Sequence, residues 1–133
     1  MKKEFIPYEQ ALALKDLGFD EPCQGYYDVD KGYSIGYAFC YSDRESQPED
    51  GCLAPLYQQS FRWFRDKYNL LGFIEPANGY EDKSLFAFYI CDDEQNIVDD
   101  SHSYSKNSSL HFKTYEEAEL ACLKKLIEIV KTK

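Results

Sequence analysis

The chain contains no apolar run of the length a membrane helix needs, and the opening MKKEFIPYEQ has basic residues with no hydrophobic stretch behind them. These absences argue against a helical span and a secretory leader, so a cytoplasmic protein with no membrane partner is expected. Cysteine is sparse and unpatterned: Cys23, Cys40, Cys52, Cys91 and Cys122 form no C-x-x-C pair, and reduced structural thiols are the expected state. The two histidines, His102 and His111, flank a Ser-rich loop and have no cysteine or second histidine at a ligand-like interval, so no metal is expected. Positive charge is also short. Fifteen Lys and Arg against 24 Asp and Glu leave a net charge of −9, which repels a phosphate backbone and argues against a nucleic-acid partner. There is no G-x-G-x-x-G, glycine-rich phosphate loop or G-x-S-x-G elbow, so no cofactor or catalytic residue has motif support. Ser101 and Ser103 do flank His102, but adjacent residues rarely attain the geometry of a catalytic triad.

What the chain has is rings. Aromatic residues make up 17% of 133 residues, with 12 Tyr and 9 Phe, enough for an aromatic core in a single domain spanning 1–133. The stretch YSIGYAFCYS alternates large and small. On a strand, Tyr33, Ile35, Tyr37, Phe39 and Tyr41 would share one face, and Ser34, Gly36, Ala38, Cys40 and Ser42 the other. The small face suits close packing under a helix. That leaves the row containing Tyr33, Tyr37 and Tyr41 as the candidate interface.

Helix signals occur at three places. PYEQALALKDLGF has Pro7 for a first turn and Gly18 for a left-handed stop that folds Phe19 back on Leu14. APLYQQSFRWFRDKY has Pro55 for its first turn and Asn69 as its stop. TYEEAELACLKKLIEIVKTK opens on a capping box, Thr114 to Glu117, and places Tyr115, Ala118, Cys122, Leu123, Leu126, Ile129 and Val130 on one face. Between them, CQGYYDVDKGYSIGYAFCYSD reads as a hairpin, SDRESQPEDGCLA as a loop, and LLGFIEP, SLFAFYICD and IVDD as strands, with SLFAFYICD central. The expected fold is α+β: one antiparallel sheet of four to five strands under three helices, in the order α-β-β-α-β-β-β-α.

Each candidate for chemistry has a plainer structural reading. QQSFRWFRDKY interleaves rings with Arg62, Arg65 and Lys67, as a phosphate or nucleic-acid site would. At about 100° per residue, however, Leu53, Tyr57, Phe61, Phe64 and Tyr68 form an apolar arc, and Arg62 and Arg65 point away from it. Solvated arginines, with Arg62 able to pair with Asp66, are the simpler account. Trp63 sits at the arc's margin, exposed for a partner. CDDEQNIVDD and DVDKG suggest calcium loops, but Ile97 and Ser103 stand where the first needs Gly and Glu, and Phe39 where the second needs Glu. Glu81-Asp82-Lys83, with Glu75 upstream, has the E-x-K spacing of metal-dependent nucleases, yet follows Asn78-Gly79 in a turn.

LAPLYQQSFRWFRDKYNL, TYEEAELACLKKLIEIVK and FIPYEQALALKDLGF resemble segments of a group of small proteins from gut-bacterial genomes and their phages and mobile elements. The resemblance is confined to the three helices, carries no activity or site residue, and implies an accessory product acting on something of the host. Charge, ring content and motifs together leave two main readings, with a metal-dependent nuclease as a distant third. The first is a non-enzymatic interaction protein that binds a protein partner or itself; the second is a binder of a nucleotide-like small molecule, using Arg62 and Arg65.

Overall fold

The computed structural model describes residues 4–23, 25–28, 34–35, 51–76, 85–100 and 111–132. It is α+β, and the chain forms two compact units, Met1–Ser60 and Phe61–Lys133.

In the first unit, α1 (Tyr8–Asp16) ends as its sequence predicts, but Pro7, expected in the first turn, stands just before the helix as its extended N-cap. Gly18 has φ 98°, its N–H donates to the Lys15 carbonyl at 3.0 Å, and the Phe19 N–H donates to the Leu14 carbonyl at 2.9 Å. That bond pair satisfies two carbonyls the helix end would otherwise strand, and buries Leu14 and Phe19. β1 (Gly25–Asp28) lies between β2 (Ser34–Ile35) and β3 (Cys52–Ala54), antiparallel to both. The expected hairpin is present, with Tyr27 opposite Ile35. Tyr27 also donates its hydroxyl to the Ile6 carbonyl at 2.7 Å and meets Tyr8 edge-on at 5.5 Å.

β3 corrects the expectation of a loop through residue 54. Cys52, Leu53 and Ala54 are all buried and pair with Tyr27, Tyr26 and Gly25, a partnership that their polar sequence neighbours conceal. Pro55 likewise falls short of a first-turn position: α2 (Tyr57–Tyr68) begins two residues later, and the Pro55 carbonyl instead accepts from the Ile6 N–H at 3.0 Å.

The second unit holds a sheet of β4 (Leu71–Pro76), β5 (Phe86–Cys91) and β6 (Ile97–Asp100), all antiparallel with β5 in the centre as expected. Ala87, Phe88, Ile90 and Cys91 are buried, so both faces of β5 are covered. The β5–β6 turn is organised by Asp92, whose carboxylate accepts from the Asn96 and Glu94 N–H groups at 2.9 and 3.0 Å. These bonds, that from Asn96 foremost, hold its carboxyl below the usual range, while Gln95 takes a left-handed φ of 67°. The acidic cluster is therefore a turn at its centre.

α3 (Tyr115–Lys131) packs on β4 and β5. Its Thr114 Oγ1 accepts from the Glu117 N–H at 3.1 Å, and Glu117 reaches back to the Lys113 N–H at 3.2 Å, one residue earlier than a strict capping box requires. Its buried face is Ala118, Cys122, Leu123, Leu126 and Ile127, whereas Tyr115, expected on that face, is 45% exposed.

Among the described residues, two three-stranded sheets stand where a single sheet was expected, and β3 lengthens the order to α-β-β-β-α-β-β-β-α. Alternation shows which way side chains point and says little about which strands hydrogen-bond.

Candidate functional site: a ring and guanidinium corner

Gly72 sets the geometry of this corner. It lies in β4 on the α3 side, where a Cβ would come within 2.9 Å of the Cys122 Sγ and 3.3 Å of Leu126. Because side chains alternate along a strand, the next residue, Phe73, faces away from α3. There it stands directly opposite Tyr89 on β5, and the two rings stack at 4.9 Å and 19°. Phe73 remains 39% exposed.

α2 supplies a wall from the α3 side, because the Phe61 Cδ1 would stand 3.5 Å from a Gly72 Cβ. Phe61 and Arg65 are four residues apart and so share a face of the helix. With Leu71, Gly72 and Phe73 they line a shallow depression of about 60 Å³. This modifies the expectation that the rings of α2 face inward and its arginines outward, because half-buried Phe61 lies at the border and shares the depression with Arg65. Arg62 is also exposed, and Asp66 approaches Arg65, through Nε at 3.8 Å.

Trp63 is the clear correction. It is 5% exposed rather than presented at the surface, edge-on to Phe64 at 5.1 Å and to Tyr68 at 5.5 Å, with the Lys67 Nζ 5.0 Å from its ring. The buried arc of α2 is Tyr57, Ser60, Trp63 and Phe64. Ser60 is fully buried because its hydroxyl donates to the Leu56 carbonyl at 3.0 Å, and counting it as polar turns the arc away from Trp63. Tyr33, Tyr37 and Tyr41 lie outside the described residues, as do Cys40, His102 and the Glu81-Asp82-Lys83 triplet.

Among the described residues, no group of three His, Cys, Asp or Glu side chains could hold a metal ion, and no helix is long and apolar enough to cross a membrane. Cys52, Cys91 and Cys122 are free and buried, and the buried Cys23 thiol donates to the Gly25 carbonyl at 3.3 Å. Burial pushes the Cys122 thiol up to about 12, with Glu119 adding to the effect, and burial likewise raises Cys52 to about 11, so neither is an activated nucleophile.

Glu119, half-buried on α3, is raised from 4.5 to about 7, first by burial and then by the charge of Glu116. The folded state therefore holds this proton more tightly than the unfolded chain, and the stability it contributes is lost as pH rises from about 4.5 through about 7. Glu119→Gln should flatten the melting-temperature profile across that window and raise the melting temperature at pH 8. An unchanged profile would show that water reaches the carboxylate freely. No protein family, curated protein or solved structure matches the chain.

Proposed function

We propose that the protein is a non-enzymatic accessory factor of the cytosol that binds another protein through the corner built by Phe61, Arg65, Phe73 and Tyr89. The observation that carries this reading is the Phe73 ring, stacked on Tyr89 yet 39% exposed, with Arg65 lining the same depression as Phe73. Tyr and Arg are among the residue types that dominate binding hot spots, and a ring already held by a stacked neighbour loses little freedom on contact. The depression, about 60 Å³, is well below the roughly 300–1,000 Å³ of small-molecule pockets, which favours a partner's side chain over a nucleotide-like ligand. Buried free thiols suit a reducing compartment. An accessory product of a phage or mobile element, the setting the helix sequences suggest, would take a host protein as its target.

Affinity capture from host lysate with wild-type protein and Phe73→Ser tests this. A defined partner should be retained by wild type and weakened about thirtyfold or more in the variant, matching the roughly 2 kcal/mol of a hot-spot truncation. Equal retention by both, or a rise of several degrees in melting temperature with one nucleotide, would overturn the reading.

A further inference from the structure

We infer that the partner offers an acidic segment carrying an apolar anchor: its carboxylate meets Arg65 and the neighbouring aliphatic or aromatic side chain enters the depression. This rests on the protein-binding reading and adds the chemistry of the partner. The charge of α2 is the first reason. Tyr57–Tyr68 carries Arg62, Arg65 and Lys67 against a single acid, Asp66, in a chain whose net charge is −9, so the helix is a basic island on an acidic protein. An acidic segment drawn to that island is complementary to it.

The availability of Arg65 is the second. Its contact with Asp66 is made through Nε at 3.8 Å, and both side chains are more than half exposed. Such a pair is worth little in water, and a bidentate carboxylate fork on the two Nη nitrogens would outcompete it.

The depression supplies the third. Its base, Gly72, has no side chain, and Phe61, Leu71 and Phe73 give it apolar walls. One guanidinium beside one apolar recess matches a carboxylate next to a hydrophobic residue. A phosphate backbone would call on several cations along a track, but Lys67 is drawn over the Trp63 and Tyr68 rings, at 5.0 and 5.7 Å from their centroids.

Selection of a displayed random-peptide library on the full-length protein tests the inference, followed by titration of the enriched peptides against wild type, Arg65→Glu and Phe73→Ala. Both positions are exposed, so the variants should fold, as circular dichroism will verify. The expected result is a consensus pairing Asp or Glu with an aliphatic or aromatic residue. Affinity should fall at least about tenfold in each variant and decline with salt, and a Lys-for-acid peptide should recover binding to Arg65→Glu. Phe73-dependent peptides that lack an acid, or that ignore Arg65→Glu, would overturn the acidic-segment inference and leave protein binding standing. Absence of any Phe73-dependent peptide would overturn both. A single-stranded oligonucleotide whose binding is lost in Arg65→Glu would assign the cation to phosphate and overturn the inference.

Discussion

Replacing Gly72 with alanine is expected to destabilise the protein by about 1–2 kcal/mol, and Cys122→Ala in the same chain is expected to recover much of that loss. The added methyl would sit 2.9 Å from the Cys122 Sγ, closer than a carbon and a sulfur can pack, and 3.3 Å from the Leu126 Cδ1. Cys122 is fully buried, so its sulfur cannot swing into water and α3 must shift instead. Overpacking of this kind costs about 1–3 kcal/mol. The strand would recover part of this, about 0.5–1 kcal/mol, because alanine loses less chain entropy than glycine on folding. Removing the sulfur alone leaves a small void of about 1 kcal/mol, which the Gly72→Ala methyl then occupies. The double mutant should be more stable than the sum of the single changes by about 0.5–3 kcal/mol. Urea unfolding followed through Trp63, the only tryptophan, measures all three variants. Strict additivity would show that Gly72 does not set the approach of α3 to β4.

The same glycine shows how much of the candidate site could be read from sequence. A small residue inside the apolar run LLGFIEP marks the side of β4 that receives a helix, and hence the outward direction of Phe73. The close approach looked for at Gly36, which lies outside the described residues, is present at Gly72. The four-residue spacing of Phe61 and Arg65 carries their pairing, but an apolar arc drawn through Phe61 sets Arg65 apart from it and hides the pair. What hid the corner was the register of α2: buried Ser60 rotates the apolar arc and takes Trp63 inside.

Among signals of local origin, stops, caps and alternation were dependable, whereas Pro7 and Pro55 both stand before their helices. The Gly18 stop, the Thr114 cap and the doubly apolar β5 each depend on residues within a few positions, and all three are present. β3 has no such signal. Cys52–Ala54 becomes a strand by pairing with Gly25–Tyr27, more than twenty residues earlier in the chain. The division of the strands into two sheets has the same origin, because it is decided by long-range pairing rather than by the pattern within any one segment.

Gly25→Val is expected to be the more damaging of the two glycine substitutions, on the order of 3 kcal/mol at the upper end of overpacking costs. A Cβ here would meet the Ala54 carbonyl oxygen at 2.7 Å and the Phe5 ring at 2.8 Å. The carbonyl belongs to the partner strand, directly opposite in register, so it can move only by breaking the ladder. Phe5 is buried and tied to Leu56 by an isolated bridge, and the adjacent Ile6 N–H bonds to the Pro55 carbonyl at 3.0 Å, so the ring is held as well. Unlike the clash at Gly72, this one should not be relieved by trimming a side chain. Phe5→Ala removes the ring but leaves the Ala54 oxygen in place and opens a cavity of its own. With a urea dependence of about 1–3 kcal/mol per molar, Gly25→Val should lower the unfolding midpoint by about 1–3 M, and Phe5→Ala should lower it further. Recovery of the wild-type midpoint in the double mutant would mean that Phe5, rather than the spacing of β1 and β3, excludes a side chain at Gly25. A loss that persists would identify the β1–β3 ladder as the constraint that requires glycine.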